Sequence, residues 1–376
     1  MTLNPIKIYL QPLQLLCKFP RSFKILRERP GRMRYSTQSQ PKLQSRPHIP
    51  VMAKEVVEHL KPSSGNTFID MTFGAGGHTS RILSAAPNIR VFALDRDPVA
   101  HQLAQEMAQQ YPGQVIPLLG RFSELPMLLA NQQVQPNSID GILFDFGCSS
   151  MQFDVAERGF SLSKDGPLDM RMDGNRFPED PTAADVLERA SEVELARIIK
   201  VYGEEKAAKR IARAIVDARY SFKKLETTWE LARLVESVLG GELRTDQLGR
   251  FAHGATKTFQ ALRIFVNNEM NEINYAMIVA EKYLKINGRL IAISFHSLED
   301  TIVKRHLVGN VTDDVANTSP LRYYNHGKVF EHAEVDKITQ VPWKMLHKHV
   351  IVPSDEEIEE NPRSRSAKFR AIIKIT

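Results

Sequence analysis

The chain has 376 residues, enough for a large core and two domains. Apolar residues make up 42% and charged residues 25%, the balance of a globular protein, and no apolar run reaches the length of a membrane-spanning helix, so no membrane association is expected. The net charge of +6 is compatible with a polyanionic partner without demanding one.

Two cysteines, Cys17 and Cys148, rule out a disulfide framework, and no CxxC pair suggests zinc. The nearest approach to a metal cluster is His347 and His349, with His326 and His332 upstream. They read as scattered loop histidines, and no metal is expected.

Residues 1–46 concentrate the basic excess. Lys7, Lys18, Arg21, Lys24, Arg27, Arg29, Arg32, Arg34, Lys42 and Arg46 face a single acid, Glu28. Ile8, Leu10, Leu13, Leu15 and Leu16 could form one face of an amphipathic helix. This is the signature of a mitochondrial transit peptide, which implies a matrix protein; the other reading is a disordered basic arm that touches nucleic acid.

Residues 41–50 read as a polar linker into the fold, and regular patterning starts at Val51. A helix is expected over 51–60, with Val51, Val56, Val57 and Leu60 apolar. Strands follow at 66–70, 91–95, 115–120 and within 138–147, separated by helices over 78–86 and 98–111, with Pro98 in a first helical turn. From Ala183 to Leu239 the pattern is helical without a strand; strand patterns return at 288–295, 329–331 and 369–375. The alternation predicts an α/β fold with a doubly wound parallel sheet, interrupted between its fourth and fifth strands by a helical insert. The expected division is a leader over 1–46, an α/β domain over 47–165 and 265–376, and a helical insert over 166–264 that recognises the substrate.

Ligands of such sheets bind beyond the carboxyl ends of the strands, where Asp70, Asp95, Phe122 and Asp145 fall. DMTFGAGGH (70–78) joins an acid to a glycine-rich turn, and LDRD (94–97) closes the next strand in another acid. The spacing suits an adenosine-containing cofactor: Asp95 would hold the ribose, Phe122 would pack on the adenine, and Gly76, Gly77 and His78 would approach the ligand at the helix start. A carboxylate before the turn repels a pyrophosphate and favours a cationic sulfonium bearing an ammonium group, which tilts the reading from a dinucleotide to S-adenosylmethionine.

DFGCSS (145–150) follows the fourth strand, where groups face the reacting methyl. If the acceptor is the exocyclic amine of a base, Asp145 either accepts its hydrogen bond or binds the donor, while Ser149 is either catalytic or a helix cap. His296 either acts on the amine proton or shapes the pocket. Arg171 either contacts RNA or pairs with nearby aspartates. Lys206, Arg210 and Arg213 share a helical face that is an RNA ridge or merely solvated; Ala208, Ile211, Ala212 and Ile215 form the opposite, packing face. Phe259 and Gln260 stack on and hydrogen-bond a base, or belong to the core. Arg363, Arg365, Lys368 and Arg370 form a second basic cluster with the same ambiguity.

Together these strings resemble the MraW (RsmH) family of small-subunit ribosomal RNA cytosine-N4 methyltransferases. The resemblance runs from about residue 50 to the end. It rests on TFGAGGH, LDRDP, GILFDFGCSS with Gln152, ERGFS, DGPLDMRMD (165–173), YGEE (202–205) with AKRIARAIV, TKTFQALRI (256–264), ISFHSLED (293–300) and NPRSRSAKFR (361–370). The family implies a class I Rossmann-like methyltransferase with an inserted helical domain, a donor site on Gly76, Gly77, His78, Asp95, Phe122, Asp145 and Gln152, and N4-methylcytidine as product. With the basic leader, the chain resembles mitochondrial members acting on small-subunit rRNA or a pre-ribosomal subunit, as a monomer or homodimer. Lys257 stands where the family often has Arg, and a point charge replaces a fork there. Residues 310–353 match loosely. Rival expectations are a dinucleotide-dependent oxidoreductase, a non-catalytic ribosome assembly factor, and a methyltransferase for a protein or small molecule.

Overall fold

A computed structural model describes residues 49–221, 224–240, 244–245, 251–309, 311–312, 315–316 and 341–376. The leader and the strand expected at 329–331 lie outside them.

Seven strands form one sheet: β1 (Thr67–Asp70), β2 (Arg90–Asp95), β3 (Val115–Leu119), β4 (Ile139–Asp145), β5 (Leu284–Ser294), β6 (Trp343–Met345) and β7 (Lys368–Lys374). Their order is β6-β7-β5-β4-β1-β2-β3. Pairing is parallel from β3 through β5. Successive residues of the central strands point into two different cores, which is why these strands lack polar alternation. Ile69, Phe92, Leu94, Ile142, Phe144 and Ala292 enter one core; Phe68, Val91, Ala93, Leu143, Ile291 and Ile293 enter the other.

Helices cover both faces. On the second core lie α1 (Ala53–Leu60), α2 (Gly77–Ala85) and α3 (Pro98–Gln110), through Val56, Ile82 and Ala104 among others. On the first lie α4 (Leu125–Asn131), through Leu125 and Leu129, α11 (Glu269–Tyr283), through Ile273 and Met277, and α12 (Ser297–Leu307), through Val303.

The sheet is not wholly parallel, as the sequence pattern had suggested. β7 runs antiparallel to β5, and β6 antiparallel to β7. The chain reaches β7 through the turn Pro362–Ser366 at the carboxyl end of β5, with Lys368 opposite Ser294, so it can only run back. Three-residue β6 is too short to give a periodic signal.

Between β4 and β5 come α5 (Ser150–Asp154), α6 (Ala183–Arg189), α7 (Glu192–Gly203), α8 (Ala208–Tyr220), α9 (Thr228–Leu239) and α10 (Thr256–Val266). Leu187, Leu195, Ile199, Ile211, Ile215, Leu231, Val235 and Leu262 build a third core there. Capping boxes start four of these helices: Ser149 with Gln152, Thr182 with Asp185, Ser191 with Glu194, and Thr227 with Glu230. No described helix is long and apolar enough to cross a membrane.

Candidate active site at the carboxyl edge of the sheet

A cavity of about 700 Å³ opens beyond the carboxyl ends of β1, β2 and β4, a volume suited to a cofactor. Its wall contains Gly77, His78, Asp95, Phe122, Asp145, Ser149 and Gln152, so seven of the expected donor-site and catalytic positions converge on one space.

The turn after β1 is held by its own chemistry. Gly74 has φ +54° and donates its N–H to Asp95 Oδ2 at 2.8 Å, while Asp97 N–H donates to Asp95 Oδ1 at 2.9 Å. These two donors fix the Asp95 carboxylate at the tip of β2. Burial pushes its pKa up to about 6, against the lowering effect of those N–H groups. Asp97 caps α3 through Val99 N–H and also accepts from Gln152 Nε2 at 2.9 Å and Arg158 Nη1 at 2.7 Å. Gln152 is thus locked between β2 and α5. Its Oε1 closes a capping box with Ser149, whose Oγ accepts from Gln152 N–H. Ser149 therefore lines the cavity as a helix cap, the bland alternative of the sequence reading.

Two expectations for the glycine turn change. Gly77 lines the cavity, but Gly76 does not. A Cβ on Gly76 would meet Met107 Cε and Phe73 Cζ at 2.7 Å, and its φ of +78° is the left-handed conformation that starts α2. Gly76 serves the packing of the turn. Asp70 is likewise withdrawn: it is 1% exposed, accepts from Thr72 N–H and Thr79 Oγ1, and burial raises its pKa. The carboxylate that reaches the cavity is Asp145. Its backbone N–H donates to Thr72 Oγ1 at 2.7 Å, its Oδ2 lies 3.5 Å from His78 Nε2, and its Oδ1 is buried without a hydrogen-bond partner. An orphaned acceptor on a cavity wall awaits a donor from a ligand.

Phe122 meets Phe144 and Phe146 edge-on, with centroids 6.0 and 6.4 Å away. It offers the cavity an apolar wall. Glu272, also on the wall, is held by Ser123 N–H and Oγ at 3.0 and 2.9 Å. An acid for ribose, an aromatic wall and an orphan carboxylate fit an adenosine-bearing sulfonium.

The remaining sequence candidates are placed elsewhere. His296 caps α12 and does not line the cavity; its Nε2 lies 2.9 Å from the buried Glu299 Oε1. Burial disfavours the charge on Glu299, yet His296, Arg263 and Phe295 N–H hold its pKa below the usual range. Arg171 is bound to Asp169 at 2.8 and 2.7 Å, within its own loop. Phe259 is 5% exposed in the helical core. Gln260 Nε2 donates to Tyr202 O at 3.1 Å, and Lys257 Nζ to Glu204 O at 3.3 Å. Lys206, Arg210 and Arg213 are exposed, and none of them lines the cavity.

Two arrangements escaped the sequence reading. Asp173, in the DGPLDMRMD string, receives Arg96, Arg121 and Arg176, tying that loop to the turns after β2 and β3. Burial opposes its charge, but Arg96 and Arg121 keep its pKa low. The second is Arg263 on α10, which lines the cavity and grips both oxygens of Glu269 at 2.8 Å. Burial disfavours the guanidinium charge, but Glu269 and Glu299 outweigh it. The signal was a lone Arg within the apolar face of TKTFQALRI. Among described residues, Glu269, His296 and Glu299 also stand close enough to share a cation. Arg263 already occupies Glu269, and the group reads as an ion-pair network. Cys148 lies against it, with burial pushing its thiol up to about 12.

The strand order, the antiparallel seventh strand and the carboxylates beyond β2 and β4 define a class I Rossmann-like methyltransferase. A family model described as the MraW methylase family matches residues 45–375, and the chain belongs to that family. It is 56% identical over 330 residues to a Drosophila melanogaster protein named "Probable methyltransferase-like protein 15 homolog", covering 87% of this chain and 92% of that one. It is 50% identical over 342 residues to the Homo sapiens 12S rRNA N(4)-cytidine methyltransferase METTL15, covering 87% and 83%. A Culex quinquefasciatus protein bearing the name of the receptor-type tyrosine-protein phosphatase mosPTP-1 is 64% identical over 328 residues, 87% of this chain. The match spans only 22% of that protein's length.

Proposed function

We propose that this chain transfers a methyl group from S-adenosylmethionine to the N4 amine of a cytidine in mitochondrial small-subunit (12S) rRNA, in the matrix. The observation that carries the reading is the orphaned Asp145 Oδ1 on a cavity that Asp95 and Phe122 also line. The named relatives support the substrate, and the basic leader supports the compartment.

Asp95 accepts hydrogen bonds from ribose hydroxyls, Phe122 packs on the adenine, and Gln152 stiffens the wall between them. The donor supplies an electrophilic methyl on a cationic sulfur. A cytosine amine is a poor nucleophile because its lone pair is delocalised into the ring. Asp145 accepts an N4 hydrogen, favours localisation of the pair on nitrogen, and stands 3.5 Å from His78, a route by which the released proton leaves. Orientation and exclusion of water do the rest. The base must leave its stack to enter, which is cheaper in an immature subunit. We assign the donor to residues 47–165 and 265–376, and the cover over the substrate to residues 166–264.

Nucleoside mass spectrometry of mitochondrial rRNA with and without the protein tests this. N4-methylcytidine should disappear with the protein; an unchanged signal would contradict the reading. Calorimetric titration should show binding of S-adenosylhomocysteine and none of NAD, the reverse of what an oxidoreductase predicts.

A further inference from the structure

We propose that the outer end of the cavity is a nucleotide clamp, in which Lys164 and Arg363 hold a backbone phosphate of the RNA and Phe153 stacks on a base. The proposal rests on the rRNA reading above and adds to it where the strand is gripped.

Away from Asp95, the cavity wall changes character. It contains Phe153, Phe160, Lys164, Arg363 and Arg365. Phe153 and Phe160 meet edge-on with centroids 6.3 Å apart, and the Arg363 guanidinium carbon lies 5.9 Å from the Phe153 centroid. An aromatic face beside exposed cations is the chemistry that holds single-stranded nucleic acid: bases stack, and phosphates pair with Lys and Arg. Asp154 is the carboxylate at this rim. It pairs with Arg363 at 3.1 Å, and its main-chain oxygen accepts from Lys164 Nζ at 2.5 Å. Arg363 and Asp154 are about half exposed, 49% and 44%, so their pairing contributes little and is easily exchanged for a phosphate. Two segments distant in the chain, Ser161–Lys164 and Asn361–Ser366, thus converge on the mouth through which a base must pass. The basic face of α8 does not touch this mouth.

The test uses the full chain, in vitro transcribed small-subunit rRNA and S-adenosylhomocysteine. Arg363→Ala and Lys164→Ala should each weaken RNA binding about tenfold and lower the slope of log affinity against log salt by roughly one phosphate. Affinity for S-adenosylhomocysteine should stay unchanged. Phe153→Ala should weaken RNA binding about tenfold. Asp154→Asn should tighten RNA binding, because the carboxylate no longer competes for Arg363; a merely structural clasp would predict weaker binding. Arg363→Lys should restore part of the affinity. Unchanged RNA affinity and salt slope in both cation variants, or weaker binding in Asp154→Asn, would overturn the clamp. A wild-type protein that forms N4-methylcytidine while Arg363→Ala binds RNA normally defeats the clamp alone. A wild-type protein that makes no such product, yet loses RNA affinity on Arg363→Ala, defeats the methylation reading alone.

Discussion

At the scale of single residues, two carboxylates have different surroundings, and the proposed function gives them different tasks. Asp95 is pinned by two backbone N–H groups and titrates near 6 because it is buried. In the proposed donor site its ionised form accepts both hydrogens of a ribose diol, so affinity for S-adenosylhomocysteine should rise about tenfold between about pH 5 and pH 7 and be flat in Asp95→Asn. Stability moves the other way. A carboxyl whose pKa is raised on folding stabilises the fold while protonated, and that contribution is lost as pH climbs through about 6. Without ligand, the wild type should lose stability relative to Asp95→Asn over that range, as read by thermal unfolding. Asp145 has a bare oxygen instead. Asp145→Ala should lower kcat by roughly 10²–10⁴-fold, and Asp145→Asn, which keeps an acceptor, should fall between.

At the scale of elements, the central strands and the first three helices were legible because burial on two faces writes continuous apolar runs, whereas the helices Leu125–Asn131, Glu269–Tyr283 and Ser297–Leu307 were not read from the sequence. The buried stripe of α8 matches the expected Ala208, Ile211, Ala212 and Ile215. What was not legible is where a side chain turns once its helix is packed. Phe259 and Arg263 lie one turn apart on α10, yet one enters the helical core and the other the cavity wall. Arg171 could not be told from an RNA contact because its partner, Asp169, is set by a local turn. Close approach is equally silent: a Cβ at Gly203 would sit 2.4 Å from the carbonyl oxygen of Lys257, where α7 crosses α10. Gly203→Ala should therefore destabilise by several kcal/mol, on the order of an overpacked core, and reduce soluble expression. Ser149→Ala removes a cap and should cost about 1 kcal/mol while loosening Gln152.

At the scale of the whole molecule, residues 1–46 carry ten basic residues against one acid, more than the entire net excess, so residues 47–376 are slightly acidic. Attraction to RNA must then come from local patches rather than overall charge. Residues 1–46 fused to a reporter should direct it to mitochondria, and a cytosolic reporter would contradict that assignment. The central claim concerns transfer itself. Purified protein, S-adenosylmethionine labelled on its methyl group and small-subunit rRNA should yield label in N4-methylcytidine, and Asp145→Ala should yield almost none. Label on another atom, or equal label with the variant, would contradict the account.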